Sequence, residues 1–162
     1  VFSLREGSVT DIVRQVVSEQ RLIREGVDIE CQIDEASERW AQADMEPRYI
    51  HRAVQNLVGN AARYAAGRVR VSCHLDEDNC RIDVEDDGPG IPEQDWEKVF
   101  TAFARLDDSR TRTSGGYGLG LSIVRRILYW HGGQAFVGRS DVLGGARFSL
   151  VWPRLKPADP EL

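Results

Sequence analysis

The chain has 162 residues, enough for one domain, and its 41% hydrophobic and 29% charged content is ordinary for a globular protein and excludes wholesale disorder. Twenty-one basic against 26 acidic residues leave a net charge of −5, which argues against a nucleic-acid groove or a basic membrane face. No run reaches the roughly 20 apolar residues that span a bilayer, Val1–Glu6 does not read as a signal peptide, and a chain opening on Val is expected to be a piece of a longer protein.

Ser8-x-x-Asp11 reads as a capping box with Asp in place of Glu, and Val9, Ile12, Val13, Val16, Val17 and Ile23 recur at helical spacing until Gly26. Val27, Ile29, Cys31 and Ile33 alternate with polar residues as in a half-buried strand, and a short strand is expected around Trp40. Asp44 is the expected N-cap of a second helix from Met45 to Ala66, closed by Gly67. Val69, Val71, Cys73 and Leu75 form one arm of a hairpin, Asp76–Asn79 its turn, and Cys80, Ile82 and Val84 the other arm.

From Asp86 to Gly120 the sequence is rich in Gly, Pro, Ser, Thr and Asp, with a short helix-like stretch at Glu93–Phe103. A connection this long inside a compact domain is usually functional or disordered. A third helix is expected over Leu119–Tyr129, strands near Gln134–Arg139 and Ala146–Trp152, and a frayed tail from Pro153. The order predicts an α+β sandwich with one mixed sheet covered by helices on one face. Cys31, Cys73 and Cys80 sit in apolar alternations without C-x-x-C pairing and read as small core residues of a reducing compartment. His51, His74 and His131 never cluster at metal-ligand spacing, so a zinc site is not supported.

Three segments hold residues that suit chemistry. On the second helix, Ile50, Val54, Leu57, Val58, Ala61 and Ala65 share one arc of about 100°, and Asn56, Asn60, Arg63 and Tyr64 share another roughly 120° away. Amide oxygens suit Mg2+ and a guanidinium suits phosphate, so this arc can hold a hydrated cation beside a phosphate chain; a solvated polar face is the plainer reading. On the hairpin's second strand the inward phase Cys80, Ile82, Val84 continues to Asp86, a carboxylate where a core side chain belongs. Buried unpaired, it costs several kcal/mol or raises its pKa, so it needs a donor such as a purine amino group. Gly88 and Gly90 then let backbone approach a flat ring, or simply reverse the chain. Gly115–Gly120 lies directly before the third helix, where free N–H groups and the positive helix end favour phosphate. It fits neither the P-loop nor the dinucleotide fingerprint, and alone it reads equally as a flexible linker.

In this order the segments resemble the ATP-binding catalytic domain of bacterial two-component sensor histidine kinases, of the GHKL (Bergerat-fold) superfamily. Asn56-Leu57-x-x-Asn60-Ala61-x-Arg63-Tyr64 resembles the N box and Asp86-x-Gly88-x-Gly90-Ile91 the G1 box. Val99-Phe100-x-x-Phe103-x-Arg105 resembles the F box, Gly116-x-Gly118-Leu119-Gly120-Leu121 the G2 box, and Gly144-Gly145-x-x-Phe148-Ser149 the final glycine motif. The likeness covers Gly7 to Pro153. It implies a mostly antiparallel sheet of about five strands under about three helices, a domain over 1–153 with an ATP lid at about 93–116, and a tail over 154–162.

The resemblance also implies roles. Asn60 would ligate Mg2+ between the phosphates of ATP, and Asn56, Arg63 and Tyr64 would line the phosphate and ribose side. Asp86 would accept from the adenine amino group, with Gly88, Gly90 and Ile91 shaping the base pocket. Phe103 would latch the lid, Gly116, Tyr117, Gly118, Leu119 and Gly120 would wrap the phosphates, and Arg105 would touch the γ-phosphate. Catalysis would fall to Asn56, Asn60 and Arg105. Arg63 replaces the usual Lys, Ala146 the frequent Thr, and Tyr117 a smaller residue, which bears on affinity. The Gly-Gly-Ala-Arg-Phe-Ser…Trp-Pro ending resembles the RstB-like subgroup.

The family's phospho-acceptor motif reads His-Glu/Asp-Leu-Arg-x-Pro, and none of His51, His74 or His131 fits it. The implied function is therefore to bind Mg-ATP and pass its γ-phosphoryl group to a histidine on the dimerisation hairpin of a parent kinase. A downstream response regulator would be the further partner, nucleic acid would not, and the piece itself is expected to be a monomer. Its parent would be anchored in the bacterial inner membrane with this domain in the cytoplasm. Two alternatives stand beside this: a clamp ATPase of the gyrase, MutL or Hsp90 type, and a nucleotide-binding docking module; an anti-sigma serine kinase, with its shorter lid, fits less well. Clamp ATPases place a Glu base one turn before the metal-binding Asn, where this chain has Asn56, which cannot take a proton. Transfer is thus favoured over hydrolysis, and the presence of Asn60, Asp86, Arg105 and the glycine loop argues against a degenerate module.

Overall fold

The computed structural model describes residues 2–101 and 119–156. β1 (Arg5–Ser8) pairs antiparallel with β3 (Gln42–Met45), a two-stranded ribbon too short to leave an alternation in the sequence. Ser8 then caps α1 (Val9–Ile23), its hydroxyl accepting from the Asp11 amide at 3.2 Å as the capping box predicts. β2 (Asp28–Ile33) follows after Gly26, whose φ of 79° suits the turn.

A short helix, α2 (Glu35–Arg39), intervenes where none is expected, capped by Asp34, whose carboxylate accepts from the Ser37 amide at 2.7 Å. Trp40 is its C-cap, which corrects the strand expected there to β3. The buried Ser37 hydroxyl donates to the Cys73 carbonyl and accepts from the Leu75 amide, both at 3.0 Å, so α2 completes the hydrogen bonding of β4 (Arg68–Leu75) beyond the end of β2.

α3 (Pro47–Tyr64) is capped by Glu46 rather than Asp44. Pro47 needs no partner for a missing N–H and fixes φ at the first helical position, while Asp44 is held in β3 and accepts from the Lys156 amide at 2.6 Å. Glu46 accepts from the Arg48 amide at 3.0 Å, and its own amide donates to His131 Nε2 at 3.0 Å. Ile50, Val54, Leu57 and Val58 are fully buried. At about 1.5–3 kcal/mol for each such side chain, they fix how α3 is rotated and so where its polar arc points.

β4 and β5 (Asn79–Asp86) form the predicted hairpin, in register from Val69 opposite Asp86 to Leu75 opposite Cys80. Two single 3-10 turns, Glu93–Asp95 and Lys98–Phe100, replace the helix-like stretch. α4 (Leu119–Trp130), β6 (Gln134–Arg139) and β7 (Ala146–Pro153) complete the chain order. The five-stranded sheet runs β2-β4-β5-β7-β6, with β2 and β4 parallel and the other neighbours antiparallel. α1, α3 and α4 pack over one face, against Val71, Ile82, Val84, Phe148 and Leu150. The alternate residues of β5 and β7 turn to the other face, where Asp83 accepts from Ser149 Oγ at 2.7 Å and from Arg81 Nε at 2.9 Å.

Cys73 and Cys80 are buried, and burial pushes both thiols up to about 12; Cys31 is half-buried, and all three are free thiols. Of the tail expected to fray from Pro153, residues 153–156 are held in place and 157–162 lie outside the described residues. Pro153 ends β7, and Arg154 donates from its amide to Asp78 O at 2.9 Å and from Nη1 to Gln42 O at 2.9 Å.

Candidate functional site

The end of β5 carries the predicted carboxylate into the interior. Asp86 is 3% exposed, and its Oδ1 accepts from the Gly88 amide at 2.9 Å and the Ala146 amide at 3.3 Å. Burial raises its pKa above the ordinary carboxylate value, against the pull of those two N–H groups, and the neighbouring Asp87 charge adds to the rise. No bond reaches Oδ2 among the described residues, so one oxygen is spent on the fold and the other remains for a ligand.

The glycines around Asp86 answer to close approach within the chain. A Cβ on Gly145 would stand 2.3 Å from Asp86 Oδ1, and one on Gly88 would stand 2.3 Å from the Tyr64 carbonyl oxygen. Gly88 thus does more than open a ring pocket, as the sequence suggests: it lets the exit of β5 slide beneath the C-terminal end of α3. Asp87, no candidate in the sequence, locks the same junction. Its Oδ1 accepts from the amides of Ala66, Gly67 and Arg68 at 2.8, 3.0 and 3.0 Å. Desolvation raises its pKa, but these three bonds outweigh it and the net shift is downward. The signal was an Asp beside a chain-reversing glycine.

One turn back along α3 lies Asn60, 6% exposed, with its Oδ1 buried and without a hydrogen-bond partner. Asn56 is half-buried and donates from Nδ2 to the Gly120 carbonyl at 3.3 Å, tying the N-box stripe to the first turn of α4. Asn56, Asn60, Arg63 and Gly120 line one cavity of about 320 Å3. A cleft of about 390 Å3 between α1 and β2 holds none of the motif residues, and its guanidiniums are already committed, Arg14 to Glu38 and Arg21 to the Ile29 carbonyl at 2.8 Å. Tyr64 is half-buried at the base end of the stripe, and Arg63 is exposed at the cavity.

Ile91 is buried and its carbonyl accepts from Trp96 Nε1 at 2.9 Å. Val99 and Phe100 are buried; Phe100 meets Phe148 edge-on at 6.0 Å, and the Arg125 guanidinium lies over its ring at 4.8 Å. The start of the F box is therefore clamped between β7 and α4. Gly90 has φ 76°, which favours glycine. Phe103, Arg105, Gly116, Tyr117 and Gly118 lie outside the described residues, and Leu119 and Gly120 open α4.

The residues present fit a magnesium ion. Among the described residues no group of three or more His, Cys, Asp or Glu could hold a metal, so this is no all-protein cage. A single orphaned amide oxygen beside an arginine-lined cavity instead suits Mg2+, which keeps waters and borrows ligands from phosphates.

Comparison with known proteins agrees with this geometry. Residues 45–156 match the family described as histidine kinase-, DNA gyrase B-, and HSP90-like ATPase. The chain belongs to this family. Within it, the sensor protein RstB of Escherichia coli (strain K12) is 45% identical over 111 residues, 68% of this chain and 25% of RstB. The chain thus spans about a quarter of the length of the curated relatives it matches. Among solved structures, the mycobacterial sensor histidine kinase MprB is 26% identical with a TM-score of 0.76, covering 93% of this chain and 97% of that one. Full-length ShkA in complex with AMPPNP is 26% identical with a TM-score of 0.76, covering 99% of this chain and 33% of that one. The α+β sandwich with its mixed five-stranded sheet is therefore the histidine-kinase form of the ATPase family's fold.

Proposed function

We propose that this chain binds Mg-ATP and transfers the γ-phosphoryl group to a histidine on the dimerisation hairpin of its parent sensor kinase. The observation that carries the reading is the pairing of a half-used buried carboxylate, Asp86, with an orphaned buried amide oxygen on Asn60, one turn from where α3 meets the Asp86 loop. Asp86 Oδ2 accepts from the adenine amino group, with Gly88, Gly90 and Ile91 around the base. Asn60 Oδ1 serves the metal, and Asn56, Arg63 and Tyr64 line the phosphate and ribose side. Magnesium, when bound, neutralises charge on the phosphate oxygens.

The chain's own contribution is positioning and charge stabilisation, because Asn56 is no base and its Nδ2 is already engaged with Gly120. Arg105 is the guanidinium assigned to the γ-phosphate, Phe103 the latch of a lid over 93–116, and Gly116–Gly120 the phosphate wrap. The domain is 1–153, the piece is a monomer, and a response regulator receives the phosphoryl group downstream. The parent sits in the inner membrane with this domain in the cytoplasm; no helix among the described residues is long and apolar enough to cross a membrane.

Radiolabel from γ-labelled ATP should appear, acid-labile, on the parent's histidine hairpin when it is mixed with this chain. Brisk ATP hydrolysis by the chain alone, without a hairpin, would instead favour a clamp ATPase.

A further inference from the structure

The N-box stripe of α3 has one position without a side chain. Gly59 falls on the flank of the Asn56, Asn60 and Arg63 stripe, one turn from Asn56 and from Arg63, and the space it leaves is filled from α1. A Cβ on Gly59 would meet Arg24 Nη2 at 3.4 Å and Gln20 Oε1 at 3.9 Å. Arg24 is the C-cap residue of α1, and its Nε donates to Gln20 Oε1 at 3.3 Å; Gln20 is itself 5% exposed. The guanidinium is thus held by its inner nitrogen, and its two terminal nitrogens have no hydrogen-bond partner among the described residues. Arg24 lines the same cavity as Asn60, whose buried Oδ1 has no hydrogen-bond partner. Arg63 lines it too, and among the described residues no carboxylate does. A guanidinium held by its inner nitrogen, with its terminal nitrogens unengaged at a cavity, suits an anion with several oxygens.

We propose that Arg24 is a phosphate-binding residue of the nucleotide pocket, contacting the outer phosphates of the triphosphate chain. This rests on the Mg-ATP reading of the site. The direction comes from α3: Tyr64 abuts the Asp86 loop at the base end, and Gly59 lies five residues back, roughly 7.5 Å along the axis and past Asn60. Arg24 therefore meets the end of the chain farthest from adenine. Gln20 is a positioning residue that aims it.

Calorimetric titration of the chain with a non-hydrolysable ATP analogue, ADP and adenosine, each with Mg2+, tests this. Arg24→Ala should weaken the triphosphate analogue about tenfold, ADP less and adenosine not at all. Arg24→Lys should recover part of the loss, and Gln20→Leu should reproduce a smaller one in the same ligand order. Should Arg24→Ala fail to fold, Arg24→Gln, which keeps the stem and loses the charge, carries the same comparison. Unchanged triphosphate affinity in a folded Arg24 variant, or an equal loss for all three ligands, overturns the assignment while leaving the nucleotide reading intact. A wild-type chain that binds none of the three overturns both.

Discussion

Replacing Asp86 with Asn separates what this residue does for the fold from what it does for a ligand. Oδ1 already accepts from two backbone amides, Gly88 and Ala146. In Asp86→Asn the amide oxygen has to occupy that place, because an NH2 group there would face two N–H donors. The new NH2 then stands where Oδ2 stood and meets the adenine amino group donor to donor. The substitution removes a charge-assisted hydrogen bond and installs a mismatch, an expected loss of about 1.5–3 kcal/mol, or roughly tenfold to a hundredfold in affinity for an ATP analogue.

Stability should move the other way. The Asp86 pKa is raised in the fold, so its contribution is favourable below the unfolded carboxylate pKa and is lost as pH rises through the folded value. At neutral pH the ionised carboxylate is a burden that Asn lacks, so the ligand-free variant should melt no lower than the wild type. Calorimetry and a melting curve at pH 7 read both halves. Unchanged affinity, or a ligand-free melting point that falls in step with binding, would refute the reasoning.

The sequence announces those parts of the fold that rest on local alternation or capping. Ser8 and Asp11, the hairpin from Arg68 to Asp86 and the inward phase of Asp86 are all legible because each depends on residues a few positions apart. The rotation of α3 is legible too, since four fully buried aliphatic residues turn its amides to a flank roughly 120° away. What stays hidden depends on distant partners. β1 exists only because β3 lies beside it, and α2 because Ser37 can satisfy β4 past the end of β2. Glu is an uncommon N-cap, so Asp44 attracts attention, although Pro47 at the first helical position already points to Glu46. Arg24 is invisible for the same reason: only the tertiary approach of α1 turns a glycine on one helix into a seat for a guanidinium on another.

Asn60→Ala should weaken Mg-ADP while leaving adenosine affinity nearly unchanged, because the amide serves the metal and the base pocket lies at the strand end; equal losses for both ligands, read by calorimetry with and without Mg2+, would deny that division. Gly145→Ala places a methyl group 2.3 Å from Asp86 Oδ1 and should cost both melting temperature and nucleotide affinity, whereas Gly144→Ala, whose φ is 89° with nothing nearby, should cost stability alone. The last expectation concerns pH. His131 is buried, donates from Nδ1 to the Ile127 carbonyl at 2.7 Å and accepts at Nε2 from the Glu46 amide, so it joins the end of α4 to the cap of α3 only while neutral. Burial lowers its pKa, so the unfolded chain takes up the proton first as pH falls. Stability is therefore present above the unfolded histidine value of about 6.5 and is lost below it, by at most about 1.4 kcal/mol per pH unit, until the folded value is passed. His131→Asn keeps an acceptor without titrating, so its melting temperature should fall less between pH 7 and pH 5 than that of the wild type; parallel curves would mean that this histidine stays neutral in both states or carries no load at the α3–α4 junction.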